Sequence, residues 1–146
     1  MNALHHAPRV TLAAALFLVA ALWGGATLPA YGDEIKIKLS GDQEVPPVTS
    51  MASGSGSIFI NANKQVSGAV TTSGVAGTMA HIHMGGSGKN GPVVIPLTKA
   101  GDNNWAVPPG AALSDAQYDA YKAGDLYVNV HSMAHPGGEI RAQIKP

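Results

Sequence analysis

Three stretches of the chain alternate between apolar and other residues, and that period of two constrains its fold more than any other feature. Ile35, Ile37 and Leu39 share a face against Lys36 and Lys38. Leu126, Val128 and Val130 stand against Tyr127, Asn129 and His131, and Ile140, Ala142 and Ile144 against Glu139, Arg141, Gln143 and Lys145. Successive side chains of an extended strand point to opposite faces, so each stretch predicts a half-buried strand. Shorter candidates lie between them. Residues 55–60 and 65–72 are joined by the polar connection 61–64, residues 78–84 form another, and residues 93–97 a last one that Pro96 assigns to an edge. Pro46 and Pro47 keep residues 40–53 out of any central strand, and four glycines make residues 85–92 a loop. One short helix is predicted, because Ser114 and Gln117 have the spacing of a capping box, Leu113 precedes the cap and Gly124 stands where the helix would stop. Many short strands with a single helix give an all-β fold, an antiparallel sandwich or barrel.

The fold reasoning leaves out the start of the chain. Residues 1–9 are weakly basic, the apolar run 10–23 follows, and small residues recur at Gly24, Gly25, Ala26, Ala30 and Gly32. This is the pattern of a secretory signal, with cleavage after Ala30 or Gly32, and the run falls short of the roughly 18 apolar residues of a membrane span. Residues 1–32 are therefore assigned to a signal peptide and residues 33–146 to one domain, in a periplasmic or secreted protein. Removing 32 of 146 residues leaves 114, enough for a single core.

That domain carries eight lysines and arginines against nine acids, scattered singly, which excludes a nucleic-acid partner. The chain has no cysteine. No disulfide holds it, and thiolate zinc sites, iron–sulfur clusters and cysteine-ligated copper are all ruled out. What remains is imidazole. His81 and His83 flank Ile82, and His131 and His135 follow some fifty residues on; together they are every histidine a processed chain would keep, since His5 and His6 leave with the signal. Alternate side chains of a strand share a face about 7 Å apart, so His81 and His83 can converge on one ion while Ile82 packs inward. The second pair could close the site from another strand. Neutral imidazole suits copper, zinc, iron or nickel. Met84 and Met133 could add a thioether for Cu(I), although Met84 should point to the other face and fill the core, with Met133 merely occupying its loop. Arg141, one strand from the histidines, could draw an anion toward a metal; as an outward residue of an edge strand it would more ordinarily pair with Glu139 or Glu44 or cover a sheet face. The glycines of residues 85–91 lack the Lys-Ser/Thr ending and following helix of a phosphate loop.

Five blocks occur in order: LSGDQEVPPV at residues 39–48, AHIH at 80–83, NGPVVIPL at 90–97, GDLYVNVHS at 124–132 and PGGEIRAQI at 136–144. In them the chain resembles the CHRD domain, the module named for its occurrence in chordin, over nearly all of residues 33–146. The resemblance implies a Greek-key β-sandwich similar to copper/zinc superoxide dismutases, and export, as in bacterial single-domain members. It implies function through two contrasting settings: chordin is a large secreted antagonist of growth factors, whereas stand-alone bacterial forms look like copper-associated proteins of the cell envelope. His81, His83 and His131 sit at the family's histidine-bearing positions, which supports them as ligands. His135 falls where many relatives carry another residue.

Residues and resemblance together predict an exported copper-binding protein that holds the ion through His81, His83, His131 and His135 for sequestration, delivery or resistance, exchanging it with a donor or acceptor protein. Zinc accepts the same ligands. A superoxide dismutase-like copper enzyme is the alternative that keeps the metal. Against it stand the missing cysteine pair, the missing histidine-and-aspartate cluster for a bridged zinc, and the rule that fold alone does not give activity. A metal-free interaction module of the envelope is the alternative that dispenses with the metal. No catalytic residues are predicted, because neither a serine, histidine and acid arrangement nor an acid/base carboxylate pair stands out.

Overall fold

The computed structural model describes residue 32 and residues 34–146; the predicted signal segment, apart from Gly32, lies outside the described residues. Among the described residues nine strands run antiparallel: β1 (Glu34–Ser40), β2 (Ser53–Ile60), β3 (Val66–Ser73), β4 (Gly77–Met84), β5 (Val93–Pro96), β6 (Thr98–Gly101), β7 (Asn104–Ala106), β8 (Leu126–Ser132) and β9 (Ile140–Ile144). The helix α1 (Asp115–Lys122) stands before β8. Its N-terminus carries the expected box, in which Ser114 Oγ accepts from Gln117 N–H and Gln117 Oε1 accepts from Ser114 N–H. Gly124 follows at φ 77°.

The strands form one sheet in the order β5-β4-β8-β9-β1-β2-β3-β7-β6. Its two edges, β5 and β6, are separated in the chain by Leu97 alone, so the sheet curls until it nearly closes on itself. β4, the β5–β6 ribbon and β7 follow one another, and β8 then returns through α1 to lie beside β4, which is the Greek-key arrangement. This is the antiparallel sandwich or barrel that the alternation predicts. Inside it lie Ile35, Ile37 and Leu39 of β1, Ile58 of β2, Val70 of β3, Ile82 of β4, Val128 and Val130 of β8, and Ile140 and Ile144 of β9, all buried. Pro96 does sit on an edge strand, as expected.

Two expectations are corrected. β6 and β7 have no counterpart in the predicted strands, because β6 is exposed along its length and β7 has only three residues, so neither carries a readable period. The larger correction concerns β8 and β9. β1 alternates exposed and buried as a half-buried strand should, but every residue of β8 is buried, and β9 is buried on both faces except at Gln143. β9 is an interior strand between β8 and β1, not an edge. Its outer face lies under residues 85–91, which fold back over the sheet. Arg141 donates to the carbonyls of Gly86 (3.1 Å) and Lys89 (2.9 Å) and to the side-chain oxygens of Asn90 and Gln143 (both 3.3 Å), while Gln143 donates to Gly85 O (2.8 Å). Asn90 in turn donates to Val45 O at 2.8 Å, tying in the segment after the 3-10 turn Gly41–Gln43. Arg141 is thus 1% exposed and holds a loop, instead of covering an open face or pairing with Glu139 or Glu44. No ion pair to it forms among the described residues, and Glu139 accepts from Ser50 and Ser132 instead.

Candidate metal centre

Because Ala80 and Ile82 belong to the core, the period of two puts Met79, His81 and His83 on the outer face of β4. On the neighbouring strand Tyr127, Asn129 and His131 occupy the same face. His83 lies opposite Tyr127, His81 opposite Asn129, and Met79 opposite His131. His131 is therefore diagonal to His81, a relation within reach of long side chains in a sheet. The three rings converge. Centroids are 5.4 Å apart for His81 and His83, 4.9 Å for His81 and His131, and 6.2 Å for His83 and His131. One nitrogen from each lies within 4.8 Å of the others, a grouping able to hold a metal ion.

Hydrogen bonds fix which nitrogens face inward. His83 Nδ1 lies 2.9 Å from Gly91 O and His131 Nδ1 lies 2.9 Å from Pro136 O. A carbonyl only accepts, so both Nδ1 atoms carry the proton and both Nε2 atoms present a lone pair. His131 Nε2 meets His81 Nδ1 at 3.0 Å, and His81 is accordingly the donor of that bond. His83 Nε2 is buried with no partner. An unsatisfied buried acceptor costs about 1–3 kcal/mol, which an ion taking its lone pair would remove. Metal-ligating histidines ordinarily give their second N–H to a carbonyl or carboxylate, and two of the three already do. The residues fit a metal: His83 Nε2 is ready, and His131 Nε2 and His81 Nδ1 join it once the His81 proton shifts from Nδ1 to Nε2, which keeps the imidazole neutral. Burial, then the neighbouring His131 and His83, hold the His81 imidazole below its ordinary pKa, and burial likewise lowers that of His83. The ligand form of both therefore persists to lower pH than in free imidazole.

The loop over the sheet supports this arrangement. A Cβ at Gly91 would stand 1.7 Å from Met84 O, so only glycine lets the backbone lie close enough to offer its carbonyl to His83. Tyr127 stacks flat on His83, with centroids 4.8 Å apart and planes 3° from parallel, and the Arg141 guanidinium lies 3.4 Å above the Tyr127 ring. Arg141, Tyr127 and His83 thus form one stack, and Arg141 anchors the loop that orients His83.

His135 does not join the three. It is half-buried and lines a cleft of about 280 Å³ with Glu44, Val45 and Pro46. Its backbone is tied to Ser132, with its N–H donating to Ser132 Oγ at 3.1 Å and its carbonyl accepting from Ser132 N–H at 3.2 Å. Met133 is 87% exposed, and Met84 packs against the core as its parity requires. Sequence reasoning missed Glu44 and Asn129, two buried polar residues beside the site whose Oε1 and Oδ1 have no partner. The readable signal for Asn129 was its parity with Tyr127 and His131; Glu44 stands in a polar turn and offered none. Gly138, at φ 129°, lets the backbone pass Glu44, since a Cβ there would meet Glu44 Oε1 at 2.5 Å.

Burial pushes the Glu44 carboxyl up to about 7, against the opposing pull of Arg141. A folded-state pKa raised above the unfolded value contributes stability that is present below the unfolded pKa and lost as pH rises through the folded one. Glu44→Gln should therefore gain stability over the wild type as pH rises from about 4.5 to about 7. Thermal unfolding of both proteins across that range checks this, and a constant difference would place no titration at Glu44.

The family model described as the CHRD domain matches residues 35–144. No curated protein and no solved structure matches the chain.

Proposed function

The chain belongs to the CHRD domain family, and from that premise we propose that it is an exported, periplasmic or secreted protein that holds one copper ion for sequestration, delivery or resistance rather than turnover. The family points to an extracellular or envelope setting, and no helix among the described residues is long and apolar enough to cross a membrane. The observation that carries the reading is the convergence of His81, His83 and His131, two of them fixed by backbone carbonyls with Nε2 turned inward. Copper is favoured over zinc because a nitrogen site of given geometry binds divalent copper more tightly. When bound, the ion supplies a labile cargo, and the chain's own residues orient the imidazoles and screen two of them from water.

The histidines lie outside the hydrophobic core, so the domain should fold without metal, and copper should add stability to an existing fold. A ligand that binds only the native state adds about 2.7 kcal/mol at 100 times its dissociation constant. The melting temperature should rise with free copper and fall back on chelation to a still cooperative transition. A chain that loses its β-rich circular dichroism on chelation would make the metal structural and overturn this reading.

A further inference from the structure

We infer that Met79 is a fourth ligand at this centre, a thioether selective for the cuprous ion; the inference rests on the copper reading above. Four observations place it there. Met79 shares the outer face of β4 with His81 and His83, two residues from His81 and so about 7 Å along the strand. It stands directly opposite His131 on β8, a relation that brings Cβ atoms to about 4.5–5.5 Å. The register of β4 shifts between Gly77 and Met79, leaving Thr78 as an extra residue whose hydroxyl donates to His131 O at 3.3 Å. Bulges of this kind re-aim side chains beside functional sites, and here the shift is what puts Met79 across from a histidine. Lastly, Met79 is 48% exposed, at the partly open side of the trio where His81 is also half-buried, so its side chain is free to turn toward the ion or away from it.

Chemistry gives the position its meaning. A thioether is a soft donor that adds to Cu(I) and little to Cu(II), whereas imidazole serves both. Methionine is flexible enough to occupy or vacate the position without disturbing the sheet. The other methionines among the described residues are less well placed: Met84 faces the core, and Met51 and Met133 project from loops at 99% and 87% exposure. A centre of three imidazoles with one exchangeable thioether would hold copper in both oxidation states while favouring capture of the cuprous form.

The test uses the whole protein, its Met79→Leu variant, which conserves volume, and Met133→Leu as a comparison. Affinity is read by competition against chromophoric chelators for Cu(I) and Cu(II) separately, and ligand type by X-ray absorption of the Cu(I)-loaded proteins. We expect one sulfur neighbour in the wild type and in Met133→Leu, absent in Met79→Leu. Cu(I) affinity should fall roughly tenfold or more in Met79→Leu, with Cu(II) affinity changed by less than about twofold. Nitrogen-only Cu(I) in the wild type with unchanged affinity in Met79→Leu would overturn the inference while leaving the histidine site standing. A sulfur signal that survives Met79→Leu and vanishes in Met133→Leu would overturn it likewise. Failure of the wild type to bind either ion would remove both readings together.

Discussion

The His81→Ala, His83→Ala double variant should retain no copper site tighter than a single surface imidazole provides. His131 Nε2 would then be left without either of the nitrogens that lie within 4.8 Å of it. Outer-shell partners of a metal are already worth roughly 10–100-fold in affinity, so loss of each ligand should exceed that and loss of two should be close to complete. Each single variant should still weaken copper binding strongly, His131→Ala included. His135→Ala should cost least, because its side chain lines the neighbouring cleft and its backbone holds the loop without it. Competition titration of the five proteins checks the order. Equal losses for His135→Ala and His83→Ala would put His135 into the centre, and an unaltered double variant would remove the β4 pair from it.

Arg141→Ala should have the largest effect on stability of any polar substitution in the domain. Its guanidinium donates to Gly86 O, Lys89 O, Asn90 Oδ1 and Gln143 Oε1 and lies on the Tyr127 ring, all at 1% exposure. Truncation leaves the Lys89 carbonyl without its donor, leaves Gly86 O with the Lys89 N–H alone, opens a cavity and ends the cation–π contact. An orphaned buried acceptor alone costs about 1–3 kcal/mol, and with the cavity and the lost stacking the total should be a large share of the roughly 5–15 kcal/mol that holds a domain folded. Arg141→Lys should recover little, since an ammonium cannot reproduce the fork of planar donors or the stacked geometry. Because Gly91, the carbonyl partner of His83 Nδ1, belongs to the same loop, copper affinity should fall along with stability. Denaturant unfolding of both variants measures the first effect. A loss below about 1 kcal/mol for Arg141→Ala would mean that the loop is held by other contacts.

Much of this molecule is legible in its sequence because one side of β1, β4, β8 and β9 really is apolar. Ile35, Ile37 and Leu39 gave β1 with its exposed lysines, and the same parity put His81 and His83 together and sent Ile82 and Met84 the other way. Ser114 and Gln117 marked the helix because a cap is a local matter, decided within one turn. What was not legible depends on residues distant in the chain. Arg141 reads as an exposed residue until β1 is known to lie on the far side of β9 and residues 85–91 are known to cover it. The diagonal pairing of His131 with His81 follows from register, which alternation alone leaves open by any even number of residues. The separation of His135 from the other three arises from a turn that bonds Ser132 and His135 to each other, in a stretch without periodicity. Met79 is not legible for the same reason: its place opposite His131 exists only once the bulge at Thr78 has set the register.

Three imidazoles of one face are proposed to hold one copper ion. Electron paramagnetic resonance of the protein loaded with one equivalent of Cu(II), with elemental analysis of the same sample after gel filtration, addresses it most directly. About one copper retained per chain and nitrogen hyperfine structure from the imidazoles are expected, both lost when His81 and His83 are replaced together. A folded protein that passes the column without copper, or a signal with oxygen ligation only, would contradict it.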